Sequence, residues 1–227
     1  MSETLITLLF KYGKYVELLS AITGTIFYFK YRHTHLKYFL YLLWFITLTE
    51  FLAGFSVKYE IKGLIFYDKD GVKYNLWMLN LLRLVTFNSL FFIYFKYLNT
   101  MFFKRCIKLF AIVYILASAI NWSFIQSFIW NASELPRIIG SILLIITILF
   151  YFIELLRSEK IVVFHRLLLF WISVGLLLFY TGTIPFALKW NGYMLIPGIH
   201  KLFLIVYILA TIMYLTFTFG FIWSRKE

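Results

Sequence analysis

Acidic residues are scarce: ten Asp and Glu stand against twenty-two Lys and Arg in 227 residues. Cysteine occurs once, at Cys106, so no intrachain disulfide can form and a thiolate metal site is excluded in practice. Three prolines and eleven glycines are too few for a long flexible linker. No low-complexity tract and no repeat of twenty to fifty residues is visible. The motifs of several enzyme classes are also missing. There is no H-E-x-x-H pair for zinc, no G-x-S-x-G nucleophile elbow and no Walker loop. His33 and His35, in "HTH", have no acid or cysteine beside them, while His165 and His200 are isolated, so no metal or other cofactor is expected. The last apolar segment has no lysine in its middle, which excludes a retinal Schiff base there.

Apolar residues are what the chain has in excess. They make up 63% of it, aromatic residues 22%, and charged residues only 14%. A soluble domain is near half apolar and about a quarter charged. The composition therefore implies an all-α polytopic membrane protein, one domain over residues 1–227, solvated mostly by lipid. The formal charge of +12 reads as short basic loops meeting anionic head groups, and direct nucleic-acid binding is not expected.

A helix needs about 20 residues to cross the hydrocarbon core. Seven stretches qualify: 6–29, 37–57, 76–96, 107–130, 136–157, 167–188 and 201–223. The first, with Lys11, Lys14 and Glu17 and no small-residue cleavage site, reads as a span rather than a signal peptide. Only 58–75 and 189–200 leave room for more than a turn. In 58–75, "DKDG" lies between the β-prone "LIFY" and "VKYN", which predicts a small β-hairpin. As a calcium loop "DKDG" lacks the later ligands.

Loop charges set orientation. One side collects twelve Lys and Arg, from Lys30, Arg32 and Lys37 through Lys104 and Arg105 to Arg225 and Lys226. The other collects nine, among them Lys58, Lys62, Lys73 and Arg137. The bias favours an N-terminus outside and a C-terminus in the cytoplasm, in a bacterial inner membrane. Tyr28, Tyr31, Tyr94, Tyr97, Trp130, Trp190 and Trp223 mark span ends as interfacial anchors.

Arg83 interrupts the run "LWMLNLLRLVTFNSLFFIYF". A permanent cation in a span faces the bundle interior and is paired. Arg83 in the third span and Glu50 in the second both lie roughly 10 Å below the outer surface at 1.5 Å per residue, and Glu17 in the first is similar or slightly deeper. Depth thus predicts an intramembrane cluster of Glu17, Glu50 and Arg83, with Arg83 bonded to one glutamate or both. Asn80, Asn88 and Asn121 are candidate polar lining. The cluster either locks three helices in register or forms a proton, ion or polar-ligand site. Glu154 is expected to pair with Arg157, and Arg137 to snorkel to water. Ser20 with Gly24, and Gly175 with Gly182, allow close helix contact; Pro185 is expected to kink the sixth span or simply to pack.

The stretches "LLFKYGKYVELLSAITGTIFYFKYRHTHLKYFLYLLWFITLTEF", "LLLFWISVGLLLFYTGTIPF" and "TFGFIWSRKE" resemble a diffuse group of small multi-pass proteins of flavobacteria. The group is similar to the multi-pass accessory proteins encoded beside some type VI-B CRISPR effectors. That resemblance implies a non-enzymatic membrane regulator in antiviral defence, with a cytoplasmic protein or ribonucleoprotein as partner. It carries no catalytic residue. A small proton- or ion-coupled transporter or channel, and a membrane sensor, are the other readings of the same residues.

Overall fold

The computed structural model describes residues 3–67, 71–188 and 200–226, with side chains over 15–67, 71–187 and 204–226. These residues form α1 (Glu3–Ile26), α2 (Lys37–Tyr59), α3 (Leu76–Tyr97), α4 (Met101–Ile120), α5 (Glu134–Leu156), α6 (Leu168–Leu188) and α7 (His200–Trp223). Short 3-10 turns cover Tyr28–Lys30 and Glu159–Arg166, and a single π turn, Asn121–Ile125, extends α4. Six of these helical stretches, α2 to α7, are long and apolar enough to cross a bilayer, with mean hydropathy from 1.5 to 2.5. Within α1 the apolar stretch is the shorter Tyr15–Ile26. The chain is an all-α, multi-pass membrane protein.

Its outer surface argues the same way. Ile112, Leu116, Leu149, Leu215 and Ile222 are exposed. In water such faces would associate; in lipid they are the solvated surface.

The helices close a ring. In order of contact it runs α1–α2–α3–α5–α6–α7 and back to α1. The helix α4 stands outside, packed on α3 and α5. Small residues permit the tightest seams. A Cβ on Gly175 would stand 2.8 Å from the Phe217 ring and 3.1 Å from the Met213 carbonyl, so α6 lies directly on α7. Gly24 is similarly closed in by Leu40 and Phe221, which seats α1 between α2 and α7. Pro185 lies inside α6, which continues to Leu188.

The basic end of the bundle is tied together by side chains. Lys30 Nζ donates to the carbonyls of Phe221, Ile222 and Ser224 at 3.2, 2.6 and 3.0 Å, capping α7 with a cation. The Arg225 amide donates to the Arg166 carbonyl, and the Arg166 guanidinium lies 4.4 Å from the Trp223 ring centroid. Glu154 does not pair with Arg157. Its carboxylate accepts the amides of Asn99 and Thr100 at 2.7 and 3.1 Å, capping the start of α4 from a neighbouring helix. Two unpaired helix-start amides outcompete an exposed arginine for the same oxygens.

At the other end β1 (Phe66–Tyr67) and β2 (Lys73–Tyr74) pair antiparallel, Phe66 opposite Tyr74. The tip, Asp68 to Asp70, which carries the turn and calcium-loop readings, lies outside the described residues, as do Lys189 and Trp190. The hairpin leans on Trp130, whose ring meets Phe66 and Tyr74 edge-on. Lys73 pairs with Glu60 at the foot of the hairpin, and this holds the Glu60 carboxyl below its usual pKa.

Candidate functional site

The helical ring encloses a cavity of about 480 Å³. Its walls come from α1, α2, α3, α5, α6 and α7, and none from α4. Glu17, Glu50, Arg83 and Arg137 all line it, together with Thr86, Ser141, Thr183, Thr211, Tyr180 and Tyr214. The ring brings these charges together because each helix turns its few polar positions inward and leaves its apolar face to lipid.

The arginine is not bonded to either predicted glutamate. Arg83 Nη2 donates to Glu134 Oε1 at 3.4 Å, and Nη1 to the Ser133 carbonyl at 3.3 Å. Glu134 also faces Arg137, with Nε 3.0 Å from Oε2, so one carboxylate bridges two guanidinium groups. The expected Arg83–Glu50 and Arg83–Glu17 ion pairs are replaced by this triad. Glu134 lies at the first turn of α5, where two arginines and the helix N-terminus all favour a carboxylate. Arg137, expected to reach water, instead lines the cavity with its side chain only 20% exposed.

The loop that carries Glu134 is held by Asn80. Its side-chain amide donates to the carbonyls of Phe128 and Asn131 at 2.8 and 2.9 Å, and its oxygen accepts the Ser133 amide at 3.0 Å. Trp122, in the π turn, adds a 2.6 Å bond from its indole to the Ser133 hydroxyl. Asn80 is therefore a brace, not lining. Asn121 is buried at the π turn and donates to Gln126. Asn88 bonds its own helix at Leu84 and lies on a separate crevice with Tyr38 and Tyr41. None of the three asparagines lines the central cavity. Each makes its contacts away from the cavity: Asn80 and Asn121 at the 122–133 segment, and Asn88 beside the start of α2.

The two glutamates form the second charged group. Glu17 is 2% exposed, and its Oε1 has no hydrogen-bond partner among the described residues. Its carboxyl faces Glu50, Thr47 and Tyr214. Glu50 keeps accessible surface, and it lines the cavity. A hydrogen bond between two carboxyl groups needs one proton, since ionised carboxylates only accept.

No protein-family profile, no curated protein and no solved structure matches this chain. Function has to be argued from the cavity itself.

Sequence reasoning missed Glu134, Arg137, Tyr180 and Tyr214 as parts of this neighbourhood. Glu134 and Arg137 did leave a signal, an acid and a base three apart at the start of a span. The tyrosines left none, because aromatic residues are everywhere in this chain.

Among the described residues no group of three or more His, Cys, Asp and Glu is placed to hold a metal ion. What the cavity presents is charged and hydroxyl-bearing side chains on a mostly apolar wall.

Proposed function

We propose that this chain is a carrier-type membrane protein that admits a small polar solute to the ring's cavity and exchanges a proton at Glu17 and Glu50. One observation carries the reading. A cavity of about 480 Å³ holds four ionisable side chains from four different helices, and Glu17 is buried there with an oxygen left unpartnered. Burying charge around empty volume is costly, and a purely structural cluster would close on itself. The size falls within the roughly 300–1,000 Å³ of small-molecule sites.

In this reading all seven helices span, the hairpin lies outside, and the basic end faces the cytoplasm of a bacterial inner membrane. The loop charges support that orientation. The test is reconstitution in liposomes with a pH-sensitive dye inside. Solute addition should drive proton movement with the native protein, and Glu50→Gln should abolish it while leaving thermal unfolding nearly unchanged. Solute-independent proton movement, or a Glu50→Gln protein that behaves as native, would sink the reading.

A second reading, the non-enzymatic regulator of RNA interference implied by the resemblance, is favoured by one feature. Lys30, Lys104, Lys108, Arg166 and Arg225 lie on interlinked helix ends at one face, which suits an acidic or ribonucleoprotein partner. Expressing a type VI-B nuclease and guide with and without this chain tests it, scored by loss of a targeted transcript. Unchanged interference would remove it.

A further inference from the structure

A second hollow of about 430 Å³ lies in the seam between α2 and α3. Leu42 is buried and lines both this crevice and the central cavity, so it forms the wall between them. On the other side Tyr38, Tyr41 and Phe92 are exposed, and the crevice faces the bilayer. Its lining runs from Tyr38 to Phe45 on α2 and from Phe92 to Val85 on α3. Seven residues at 1.5 Å each carry it roughly 10 Å inward from the basic end. Half of the roughly 30 Å hydrocarbon core is about 15 Å, so the crevice belongs to one leaflet.

Its rim carries two cations. Lys37 Nζ lies 5.4 Å from the Tyr38 ring centroid, and Lys96 Nζ lies 5.6 Å from that of Phe92. The two rings meet edge-on at 5.4 Å across the seam. One aromatic pair thus has an ammonium group on either helix. Neither lysine is in an ion pair among the described residues. Glu154, at the same end of the bundle, accepts the amides of Asn99 and Thr100 instead.

We propose that this crevice is a binding site for one anionic phospholipid, with an acyl chain in the α2–α3 seam and the phosphate against Lys37 and Lys96. The site lies outside the ring and does not depend on the carrier reading.

Depth is the first argument. The crevice opens where the surroundings are hydrocarbon, and an empty hollow would forfeit the packing contacts of its walls. Water is a poor occupant, since it needs two to four polar partners. Asn88 spends its amide on the Leu84 carbonyl at 2.8 Å, and the Tyr41 hydroxyl lies 3.2 Å from that of Tyr28. Leu42, Phe45 and Val85 supply the apolar and aromatic wall that an acyl chain fills.

Charge is the second argument. Aromatic faces attract the two ammonium groups but do not neutralise them. A phosphate does, and lysine binds it as a point charge. An anionic phospholipid offers the chain and the charge at the right separation, one in the leaflet and the other at its surface. A zwitterionic lipid brings a cation of its own to the same rim and is expected to bind more weakly.

The full-length protein, freed of lipid in detergent, would be titrated with phosphatidylglycerol and phosphatidylcholine of identical chains and read by native mass spectrometry. The first phosphatidylglycerol should bind more tightly than phosphatidylcholine. Lys37→Gln combined with Lys96→Gln should weaken it by about 10- to 30-fold, about fivefold for each lysine, and leave phosphatidylcholine unchanged. Lys104→Gln with Lys108→Gln is the matched control, because both ammonium groups lie at the same end over the Phe95 ring. It should change binding by less than about twofold. Equal losses in the two double variants would mean diffuse attraction to a basic surface and would overturn the proposal, as would equal affinity for the two lipids. The chain is located in the native protein, so a variant that folds poorly does not decide the matter. Phosphatidylglycerol with a diazirine in mid-chain, at one per protein, should crosslink to residues 38–45 and 85–92. Crosslinks spread evenly over the lipid faces of α4 and α5 would also overturn it.

Discussion

At the residue scale, the most informative side chain is one that does not line the cavity. Asn80 is 1% exposed and makes three hydrogen bonds to the backbone of the segment that carries Ser133 and Glu134. Alanine there removes all three and strands a buried amide and two carbonyls. At about 1 kcal/mol each the loss is about 3 kcal/mol, read as a lower unfolding midpoint in detergent. Because the brace positions Glu134, Asn80→Ala should also weaken solute binding without touching the cavity wall. A variant that melts lower yet binds normally would show that the loop is held by other contacts. Glu154 makes a cleaner case at the opposite end. Glu154→Ala frees the amides of Asn99 and Thr100 at the start of α4. A lost helix cap costs about 1 kcal/mol, and hydrogen exchange at the first turn of α4 should rise while the rest of the bundle keeps its protection.

At the element scale, the seam between α6 and α7 depends on one missing side chain. Gly175→Val would press a branched carbon into the Phe217 ring and the Met213 carbonyl. The carbonyl belongs to a helix backbone and cannot swing aside as a ring can, so the helices must separate. Overpacking of this kind costs about 1–3 kcal/mol, and Gly175→Ala should cost less. The hairpin has a pH response of its own. Lys73 lowers the Glu60 pKa, so the pair contributes fully above the usual carboxylate range. The contribution is lost as pH falls through the lowered value in the folded state. The protection of the β1 and β2 amides, measured against the intrinsic exchange rate at each pH, should therefore fall in acid, and Glu60→Gln should remove that acid dependence. Most of these elements could be read from the sequence. The spans stand out because twenty-residue apolar runs have few other uses, and the observed ends of α2, α3, α6 and α7 lie within about two residues of the expected ones, the usual margin for a helix boundary. The partner of Arg83 could not be read in the same way. Depth along a helix axis follows from counting residues, but rotation about the axis follows from packing. Glu17, Glu50 and Glu134 lie on three different walls of the ring, and only packing decides which carboxylate meets the guanidinium.

At the scale of the whole molecule, aromatic side chains pack together at the basic end of the ring. Phe39 and Phe217, both lining the cavity, meet edge-on at 5.1 Å, and Phe39 lies against Phe221, which in turn packs on Tyr31 toward the basic end. Tyr94 and Ser173 share a 2.7 Å hydrogen bond that ties α3 to α6 in the same region. If the proposed carrier reading holds, this packing must open to release solute on the second side. Phe39→Ala deletes a ring that is 2% exposed, a change that costs about 3–5 kcal/mol in a tight core. It should also let protons cross without solute, since the same ring seals the path. In liposomes the expected result is a solute-independent proton leak with Phe39→Ala and none with Leu116→Ala, a lipid-facing control on α4. The direction of that path is tested with a membrane-impermeant maleimide on intact cells, in a Cys106→Ser background. Lys62→Cys, beside the hairpin, should label at once, and Lys226→Cys only after permeabilisation. The reverse pattern would put the hairpin end on the cytoplasmic side. Labelling of both in intact cells would mean that the charge bias of twelve against nine does not fix one orientation. Labelling thus fixes which membrane face the hairpin occupies, and the leak tests whether the Phe39 packing at the basic end is the barrier between the cavity and the opposite face.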